Sequence, residues 1–478
     1  MTYFKKLFPL IIILTLSFFA VKPLLLPGFF PMHDDTQVAR VFEMGKVLQN
    51  GIFPVRFVPD LGYGYGYPIF NFYAPLAYYI GASFIFLGFD ALLATKIMMA
   101  LGIILAGLFM YFLAREFFGE FGGIVSGLFY LYAPYHALDI YVRGDVAEFW
   151  AYAFIPLAFL GFYRKNILLG SIGFAGLILS HNLTAMMVVP FLLIISLLNY
   201  YVARKNEKSF VAYRLLFIIL LGLAISAFYW IPALVEMKYT NVLSQIGGGA
   251  NFHDHFVCFS QLWSSPWGFG GSAKGCIDGM SFMIGKLNIL AAITAFVFMC
   301  FFLKVKKSKN GTVIVFSFLG FLISAFLTLE ISRPIWETIP AMAFFQYPWR
   351  FLMLASFFSS MLAGSLIFLS KQFKIKSYLA ALLMIFLLLF FNLKFFVPQV
   401  IVSRTVNDYT NETTLKWTVS KISDEYLPSD FRKPKSLNDV YKGQSTIRVQ
   451  ETPVEKVSNL ISIIGLLALF LGIILFKG

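Results

Sequence analysis

Long apolar runs separated by short polar connections dominate the pattern of residues along this chain. A helix that crosses the hydrocarbon core of a bilayer needs about 20 predominantly apolar residues. Runs of that length lie near 7–27, 92–114, 212–232, 283–303, 312–330, 349–370, 377–397 and 457–476. Shorter or proline-interrupted runs lie near 121–136, 148–163, 166–181 and 184–202. The pattern predicts an all-α polytopic membrane protein with about 12 transmembrane helices.

Two further helices are expected in the loop between the first two of these runs. The segment 36–50 has apolar residues at helical spacing and ends at Asn50-Gly51, which predicts a helix along the membrane surface. The segment 72–90 is apolar enough to cross the bilayer, but a crossing would move every later basic loop to the outer side. We therefore expect 72–90 to be an interfacial or re-entrant helix on the outer side.

Charge sets the expected orientation. Hydrophobic residues make up 59% of the chain and charged residues 13%, whereas soluble domains carry about 25% charged residues. The net charge of +14 comes from lysines and arginines in short connections, where loops of this kind stay cytoplasmic. These residues are Lys5, Lys6, Arg164, Lys165, Arg204, Lys205, Lys208, Arg214, Lys304, Lys306, Lys307, Lys309, Lys371, Lys374 and Lys376. They do not form the single basic patch of a nucleic-acid-binding protein, so no nucleic-acid partner is expected.

This orientation places both termini in the cytoplasm and the protein in the plasma membrane. The outer side then receives the loops 28–90, 137–147, 181–183, 233–282, 331–348 and 398–456. The expected organisation is a transmembrane module over 1–397, a small extracytoplasmic segment over 398–456 and a C-terminal transmembrane helix over 457–478.

Two of the three cysteines, Cys258 and Cys276, lie in the same predicted outer loop. An outer disulfide is one interpretation, because disulfides persist in oxidising compartments. Two unpaired thiols are the other, and the sequence leaves both open.

The most informative polar cluster is His33-Asp34-Asp35, which directly follows the first apolar run. Carboxylates beside a bilayer are costly to desolvate, so an adjacent pair points to chemistry or ion handling. One of them could instead cap the helix predicted over 36–50, as could Thr36. A cap needs one carboxylate only, so we assign catalysis to Asp34 or Asp35.

Three other sets of polar residues are predicted at the outer ends of apolar runs. Each has a structural alternative: Arg143 and Asp145 could be a local ion pair, Arg350 could reach lipid headgroups, and His181 could be a structural hydrogen-bonding group. The candidate substrate-binding residues are His33, Arg143, Asp145, Glu148, His181, Asn182 and Arg350.

Tyr67 is a further candidate, in the stretch from Asp60 to Tyr67 in which glycine and tyrosine alternate. The glycine spacing does not match a dinucleotide-binding turn. The loop is either a flexible aromatic segment or a surface on which a sugar ring stacks.

These groups are the ones that sugar transfer from a lipid phosphate requires. A carboxylate takes the proton of the acceptor hydroxyl, and cations hold the phosphate that leaves. Asp34 or Asp35 can be the base, and the arginines with His181 can hold the phosphate. Asp34, Asp35, Asp145 and Glu148 could also join at a divalent cation such as Mg²⁺ or Mn²⁺.

Several motifs together resemble a known family. They are Gly51-Ile-Phe-Pro54, Gly64-Tyr-Gly66-Tyr-Pro68-Ile-Phe70-Asn-Phe-Tyr73-Ala-Pro75, Arg143-Gly-Asp145-Val-Ala-Glu148, Ser180-His181-Asn182, Ser265-Pro-Trp267-Gly, Tyr347-Pro-Trp-Arg350-Phe and Glu425-Tyr-Leu-Pro428. With the first span and the acidic pair, they resemble the GT-C superfamily of polyprenyl-phosphate-dependent glycosyltransferases. They are most similar to bacterial and archaeal membrane proteins labelled 6-pyruvoyl-tetrahydropterin-synthase-related.

The resemblance implies a multi-span GT-C-like fold with an outer active site and a lipid-linked sugar donor. It implies that an Asp of the first loop, Asp34 or Asp35, is the base, and more loosely that Asp145 or Glu148 takes part. The chain lacks the large soluble C-terminal domain of oligosaccharyltransferase-type members. We therefore expect a lipid, glycan or cell-wall acceptor rather than protein asparagine.

The leading hypothesis is an inverting glycosyltransferase, and the alternative is a non-enzymatic flippase or transporter of lipid-linked glycans. A transporter is expected to hold ionisable residues near the bilayer midplane. Here they are predicted at the outer ends of spans, which favours the enzyme.

Overall fold

The computed structural model describes residues 2–242, 250–302 and 308–475. Lys304, Lys306 and Lys307 of the predicted basic connections lie outside the described residues. The longer helices are α1 (Thr2–Val21), α2 (Gln37–Gln49), α3 (Leu76–Phe86), α4 (Ala91–Leu131), α5 (Val146–Arg164), α6 (Ile167–Ser180), α7 (Asn182–Val202), α8 (Lys208–Ile225), α9 (Ala227–Glu236), α10 (Lys286–Phe301), α11 (Lys309–Leu327), α12 (Leu352–Ser370), α13 (Ser377–Asn392) and α14 (Pro453–Leu475). Short helical turns connect them, at Lys22–Leu25, Ile69–Phe72, Pro134–Leu138, Asp139–Arg143, Met237–Tyr239, Phe252–Asp254, Phe259–Trp263, Glu330–Ser332, Arg333–Thr338, Pro340–Phe345, Pro348–Phe351, Lys371–Phe373, Leu393–Phe395, Val406–Thr410, Thr414–Val419, Ser420–Ile422 and Leu437–Asp439.

Among the described residues, nine helices are long and apolar enough to cross a membrane, and α3, α6 and α10 are shorter apolar helices. The prediction of an all-α, multi-pass membrane protein is therefore confirmed. The number of about 12 crossings stays a prediction.

Helix α4 is two antiparallel arms rather than one straight rod. Gly119 has φ 73°, a left-handed conformation that interrupts the helix. A Cβ on Gly127 would lie 2.7 Å from the carbonyl oxygen of Gly107, although 20 residues of straight helix would separate the two by about 30 Å. The chain therefore reverses at Gly119, between the predicted runs 92–114 and 121–136.

The predicted single span over 212–232 needs correction, because the structure divides this region into α8 and α9. The break is at Ser226, whose hydroxyl donates to the carbonyl oxygen of Gly222 at 2.8 Å. Such back-bonding by a serine often bends a helix, although Ser324 and Ser360 form the same bond within unbroken helices. Helix α9 thereby turns toward the loops and becomes a wall of the site described below.

The first loop contains the two helices expected there. Helix α2 begins at Gln37 after Thr36, and no side chain caps it, so the capping role considered for the acidic pair is wrong. Helix α3 packs against α2 through Gly81, where a Cβ would lie 2.8 Å from Cγ2 of Val41. With 11 residues, α3 is about 16 Å long, too short to cross the bilayer by itself.

Loops predicted to share one side of the membrane meet at one end of the bundle. His33 Nε2 donates to the carbonyl oxygen of Phe269 at 3.0 Å, and Arg404 pairs with Asp35 at 3.0 Å. Thr240 and Pro428 form an isolated β-bridge. Segment 398–456 lies across the first loop.

The connections predicted on the opposite side also lie together. Arg164 pairs with Glu116, and Lys309 Nζ lies 4.7 Å from the centroid of the Tyr163 ring. The two groups of connections therefore occupy opposite ends of the helices, as the charge pattern predicts.

The large loop is closed by a disulfide. Cys258 and Cys276 are bonded, with their Cα atoms 5.5 Å apart, which confirms the paired interpretation. Cys300 is free and exposed.

Sidedness can be tested with single-cysteine variants in a Cys300→Ser background. We expect Gly271→Cys and Glu412→Cys to react with a membrane-impermeant maleimide added to intact cells. Lys205→Cys and Lys374→Cys should react only after permeabilisation. Labelling of all four positions from one side would contradict the arrangement of the loops.

Candidate functional site

The first loop docks directly on the residues that precede α5. The backbone N–H of His33 donates to the carbonyl oxygen of Val142 at 3.0 Å, and that of Asp34 donates to the carbonyl oxygen of Arg143 at 2.9 Å. The two sequence clusters that begin at 33 and 143 are therefore in contact.

This docking depends on a glycine. Gly144 has φ 66°, and a Cβ at this position would lie 2.1 Å from Sδ of Met32. Both the backbone conformation and the close approach favour glycine. Gln37 then reaches over this turn, and its side-chain amide donates to the carbonyl oxygen of Gly144 at 2.8 Å.

A cavity of about 910 Å³ opens beside this contact. Of the predicted site residues, those that line it are His33, Asp34, Arg143, Asp145, His181, Asn182 and Arg350. Three predicted residues do not line it, namely Asp35, Tyr67 and Glu148. The structure thus brings seven of the ten candidates to one space.

The floor of the cavity is a buried network of opposite charges. Arg143 contacts Asp145 at 2.8 Å and Glu148 at 3.0 Å, and it also pairs with Asp139. Arg350 contacts Glu148 at 3.1 Å and Asp145 at 3.8 Å. Arginine suits such a network, because its planar fork can hold several carboxylates at once.

Local sequence explains how α5 presents these carboxylates. Asp145 is the N-cap of α5, and its Oδ1 accepts a hydrogen bond from the backbone N–H of Glu148 at 3.1 Å. Residues three apart lie on the same face of a helix, so both carboxylates point toward the arginines. The local Arg143–Asp145 ion pair considered above is present, but as part of a larger network.

Arg350 reaches the network from a distant part of the chain. It lies in the turn Pro348–Phe351 and is 7% exposed, so it does not extend to lipid headgroups. Its Nη1 donates to the side-chain oxygen of Gln346 at 3.0 Å and to the carbonyl oxygen of Phe345 at 3.1 Å. These bonds direct the rest of the guanidinium toward Glu148.

Asp139 was not predicted from the sequence. It is fully buried in the turn before Arg143, and burial together with Glu148 raises its pKa well above the ordinary range of a carboxyl. Its position four residues before Arg143, with helical spacing, is the one signal that could have indicated it.

Asp34 and Asp145 differ in their protonation behaviour although they face the same cavity. Burial, with a contribution from the negative charge of Asp145, raises the pKa of Asp34 to about 6. Burial also opposes ionisation of Asp145, but Arg143, His181 and Arg350 outweigh it and hold the pKa of Asp145 below its ordinary value. Carboxylates with pKa values separated in this way can take different roles in one site.

Asp35 is directed away from the cavity. Its Oδ2 accepts a hydrogen bond from Nη1 of Arg404 at 3.0 Å, and burial raises its pKa while Arg404 lowers it. This ion pair joins the first loop to the segment 398–456.

Tyr67 is fully buried and does not line the cavity. Its hydroxyl accepts a hydrogen bond from the backbone N–H of Tyr426 at 3.2 Å. A buried ring cannot stack on a sugar in the cavity. The aromatic residues that do line the cavity are Phe72, Tyr73, Phe174, Tyr229, Trp230, Phe344, Tyr347, Trp349 and Tyr426.

Asp145, Glu148 and His181 form a buried group whose potential ligand atoms all lie within 4.8 Å of one another, so this group could hold a metal ion. His181 Nδ1 is hydrogen-bonded to the hydroxyl of Thr184 at 2.8 Å. Asp35 is not part of this group and pairs with Arg404 instead.

The fold and the site define the class as an all-helical, multi-pass membrane protein with a charged cavity at one end of the bundle. The chain belongs to the family described as 6-pyruvoyl-tetrahydropterin synthase related domain, membrane protein, whose family model matches residues 70–397. This confirms the family resemblance inferred from the sequence.

Two similar proteins add context. An uncharacterized protein of Lactococcus lactis subsp. cremoris is 26% identical over 248 residues, which cover 48% of this chain and 39% of that protein. An oligosaccharyltransferase structure from Archaeoglobus fulgidus matches 83% of this chain and 56% of its own, with 13% identity and a TM-score of 0.47. The chain thus spans well under two thirds of either protein.

Replacing one member of the buried network should destabilise the protein. We expect Glu148→Gln to lower the free energy of unfolding by about 3–5 kcal/mol, because two guanidiniums lose a shared buried partner. Reversible unfolding in mixed micelles, followed by tryptophan fluorescence, measures this. Glu337→Gln removes an exposed partner of Arg333 and should leave the unfolding curve unchanged. An equal decrease in the free energy of unfolding of both variants would contradict the conclusion that the buried network stabilises the fold.

Proposed function

We propose that this protein is an inverting glycosyltransferase. It moves a sugar from a polyprenyl-phosphate donor to a lipid, glycan or cell-wall acceptor on the outer face of the plasma membrane. The observation that carries the proposal is that Asp34, a carboxyl with a raised pKa, faces the same cavity as the buried arginines Arg143 and Arg350.

Asp34 is the base of the proposed reaction. Its side chain forms no ion pair within the described residues, unlike Asp35 and Asp145. A pKa near 6 leaves it mostly ionised at neutral pH and makes it a stronger proton acceptor than an ordinary carboxylate. It takes the proton of the acceptor hydroxyl while the hydroxyl oxygen bonds to the anomeric carbon of the donor sugar.

The leaving group is the lipid phosphate. The bond between the anomeric carbon and the phosphate oxygen breaks, and that oxygen keeps the electron pair. Attack from the side opposite the phosphate inverts the anomeric configuration. Arg143 and Arg350 lie where they can stabilise the developing negative charge, with His181 as a further hydrogen-bond donor.

The donor also carries a long apolar chain, and one wall of the cavity suits it. This wall is formed by α6, α7, α8 and α9, and its apolar residues are Phe174, Ile178, Leu183, Met186, Val189, Leu223, Trp230 and Leu234. Met186 and Leu234 are also exposed, at 43% and 62%. The cavity therefore combines a charged floor with an apolar side, as a lipid-linked phosphate requires.

The outer location is supported by the disulfide. Cys258 and Cys276 belong to the loops that cover the cavity, and disulfides persist outside the reducing cytoplasm. The positive-inside rule favours the same orientation, with both termini cytoplasmic.

A divalent cation fits part of this site. Asp145, Glu148 and His181 would hold it, with Asp34 nearby, and it would supply positive charge opposite the leaving phosphate. All four carboxylate oxygens of Asp145 and Glu148 already accept hydrogen bonds, from Arg143, Arg350, Tyr135 and the backbone of Glu148. A bound cation would therefore share these oxygens with the arginines.

The flippase or transporter hypothesis predicts ionisable groups deep in the membrane. Asp145, His181 and Arg350 instead lie where spans begin, directly before α5, α7 and α12. This placement supports chemistry at the membrane surface.

Substitution of Asp34 and of Asp35 by asparagine tests which of the two residues is the base. Asp34→Asn removes the proton acceptor while it keeps the shape of the side chain, and we expect kcat to fall about 10²–10⁴-fold. Asp35→Asn is the matched control, because Asp35 pairs with Arg404 outside the cavity, and it should keep most of the activity. Release of sugar from polyprenyl-phosphate donors measures both. Full activity of Asp34→Asn would exclude it as the base.

The pH dependence should follow the titration of Asp34. The base acts in its ionised form, so kcat/KM should be constant above pH about 6 and fall about tenfold per pH unit below it. A pH–rate profile of the purified protein checks this, and Asp35→Asn should show the same profile. Activity that rises as the pH falls below 6 would contradict the assignment.

A further inference from the structure

Two buried polar residues at the start of α2 line the cavity, and each has one polar atom without a partner within the described residues. Thr36 is 1% exposed and Arg40 is 4% exposed, and both line the cavity. Within the described residues, Thr36 Oγ1 and Arg40 Nε have no hydrogen-bond partner. They are four residues apart and so lie one helical turn apart on the same face. Buried polar groups are normally paired, so these two point to a ligand.

Arg40 is held rigidly in this position. Its Nη2 donates to the hydroxyl of Ser423 at 2.9 Å, its Nη1 donates to the hydroxyl of Tyr78 at 3.3 Å, and its guanidinium carbon lies 4.6 Å from the centroid of the Tyr73 ring. No ion pair within the described residues includes Arg40. Neutral hydroxyls and an aromatic ring thus fix a cation whose Nε has no partner within the described residues.

The segment that contains Ser423 supplies a carboxylate and an aromatic ring to the same cavity. Glu425 lines the cavity and is half-buried, and its Oε1 accepts a hydrogen bond from the hydroxyl of Ser423 at 3.2 Å. Tyr426 also lines the cavity, and its ring stacks on Phe72 with centroids 5.5 Å apart and planes 16° from parallel. Neither residue belongs to the arginine network of the floor.

This set of groups suits one class of ligand. A sugar ring offers several hydroxyls that both donate and accept, and its C–H face stacks on aromatic rings. A carboxylate accepts from such hydroxyls, while a guanidinium and a threonine hydroxyl donate to them. An anionic headgroup would be repelled by Asp34 and Glu425, and an apolar tail would leave Thr36 Oγ1 and Arg40 Nε without a partner.

We propose that Thr36, Arg40, Glu425 and Tyr426 form the acceptor subsite and that they bind a carbohydrate ring. The acceptor is therefore a glycan, and one of its ring hydroxyls is directed toward Asp34. This inference rests on the glycosyltransferase proposal for the role of the bound sugar, but the binding itself can be measured without catalysis.

Saturation-transfer NMR on the full chain in phospholipid nanodiscs tests the subsite, because sugar-based detergents would compete. The probes are methyl α-D-glucopyranoside, methyl α-D-mannopyranoside and methyl N-acetyl-β-D-glucosaminide. The comparison compounds are sorbitol, an acyclic polyol, and the blocked peptide acetyl-Asn-Ala-Thr-amide. We expect at least one glycoside to bind, and neither comparison compound.

Two variants locate the binding. Glu425→Gln should weaken it about tenfold, as the loss of one hydrogen bond to a charged group predicts. Thr36→Val keeps the shape of the side chain and removes a hydroxyl that the fold does not use, so it should weaken binding without loss of stability. Glu412→Gln, in the same segment but with its side chain 71% exposed, is the matched control and should bind as the unmodified protein does.

The outcomes separate the two proposals. The acceptor subsite is overturned if no glycoside binds or if the peptide binds instead. It is also overturned if Glu425→Gln and Thr36→Val bind glycosides as tightly as Glu412→Gln does. Both results hold whatever the enzyme does with its donor. If glycosides bind in the expected way but no polyprenyl-phosphate sugar is consumed, the subsite stands and the glycosyltransferase proposal fails.

Discussion

The buried charge balance between Arg143, Arg350 and their carboxylates is the constraint on which the rest of the site depends. Isolated charges are very costly to bury, so each member is tolerable only while the others keep their places. Asp139 and Glu148 are fully buried, and both arginines are less than a tenth exposed. The network therefore fixes the start of α5 relative to the start of α12, although about 200 residues separate them along the chain.

The first loop and segment 398–456 are positioned, directly or indirectly, by contacts with this network. The first loop hydrogen-bonds to the backbone of Val142 and Arg143, which puts Asp34 at the edge of the network. Segment 398–456 then attaches to the first loop through Arg404 and Ser423. The position of the first loop therefore depends on the charged floor, and the position of segment 398–456 depends on the first loop.

The carboxylates of Asp34, Asp35 and Asp145 are chemically distinct because their ion-pair partners differ. Asp145 contacts two arginines, Asp35 contacts one, and Asp34 contacts none within the described residues. The pKa of Asp34 is accordingly raised, while that of Asp145 is held low. Two aspartates adjacent in sequence, Asp34 and Asp35, thus face different surroundings. The sequence could indicate the pair but not the member that faces the cavity.

Much of the fold could be predicted because it follows from length and periodicity. Apolar runs of sufficient length must be helices in a membrane, and basic connections must share a side. The break at Ser226 could not be predicted in this way, because it falls within an apolar run that shows no interruption. The same limit applies to the site. Residues that stand in charged clusters were found, whereas Asp139 and Arg40 are single polar residues whose importance depends on burial, and Thr36 was considered only as a helix cap.

The region matched by the family model contains some of the residues that line the cavity but not others. Residues 70–397 contain the arginine network, His181 and the apolar wall, so the charged floor and the apolar side of the cavity belong to the matched region. Asp34, Thr36, Arg40, Glu425 and Tyr426 lie outside it, in the segments before and after. In the proposed reaction the floor holds the lipid phosphate, which many acceptors could share, whereas the groups that activate and orient the acceptor must fit one kind of molecule. The segments that flank the matched region are therefore where we expect the choice of acceptor to be made.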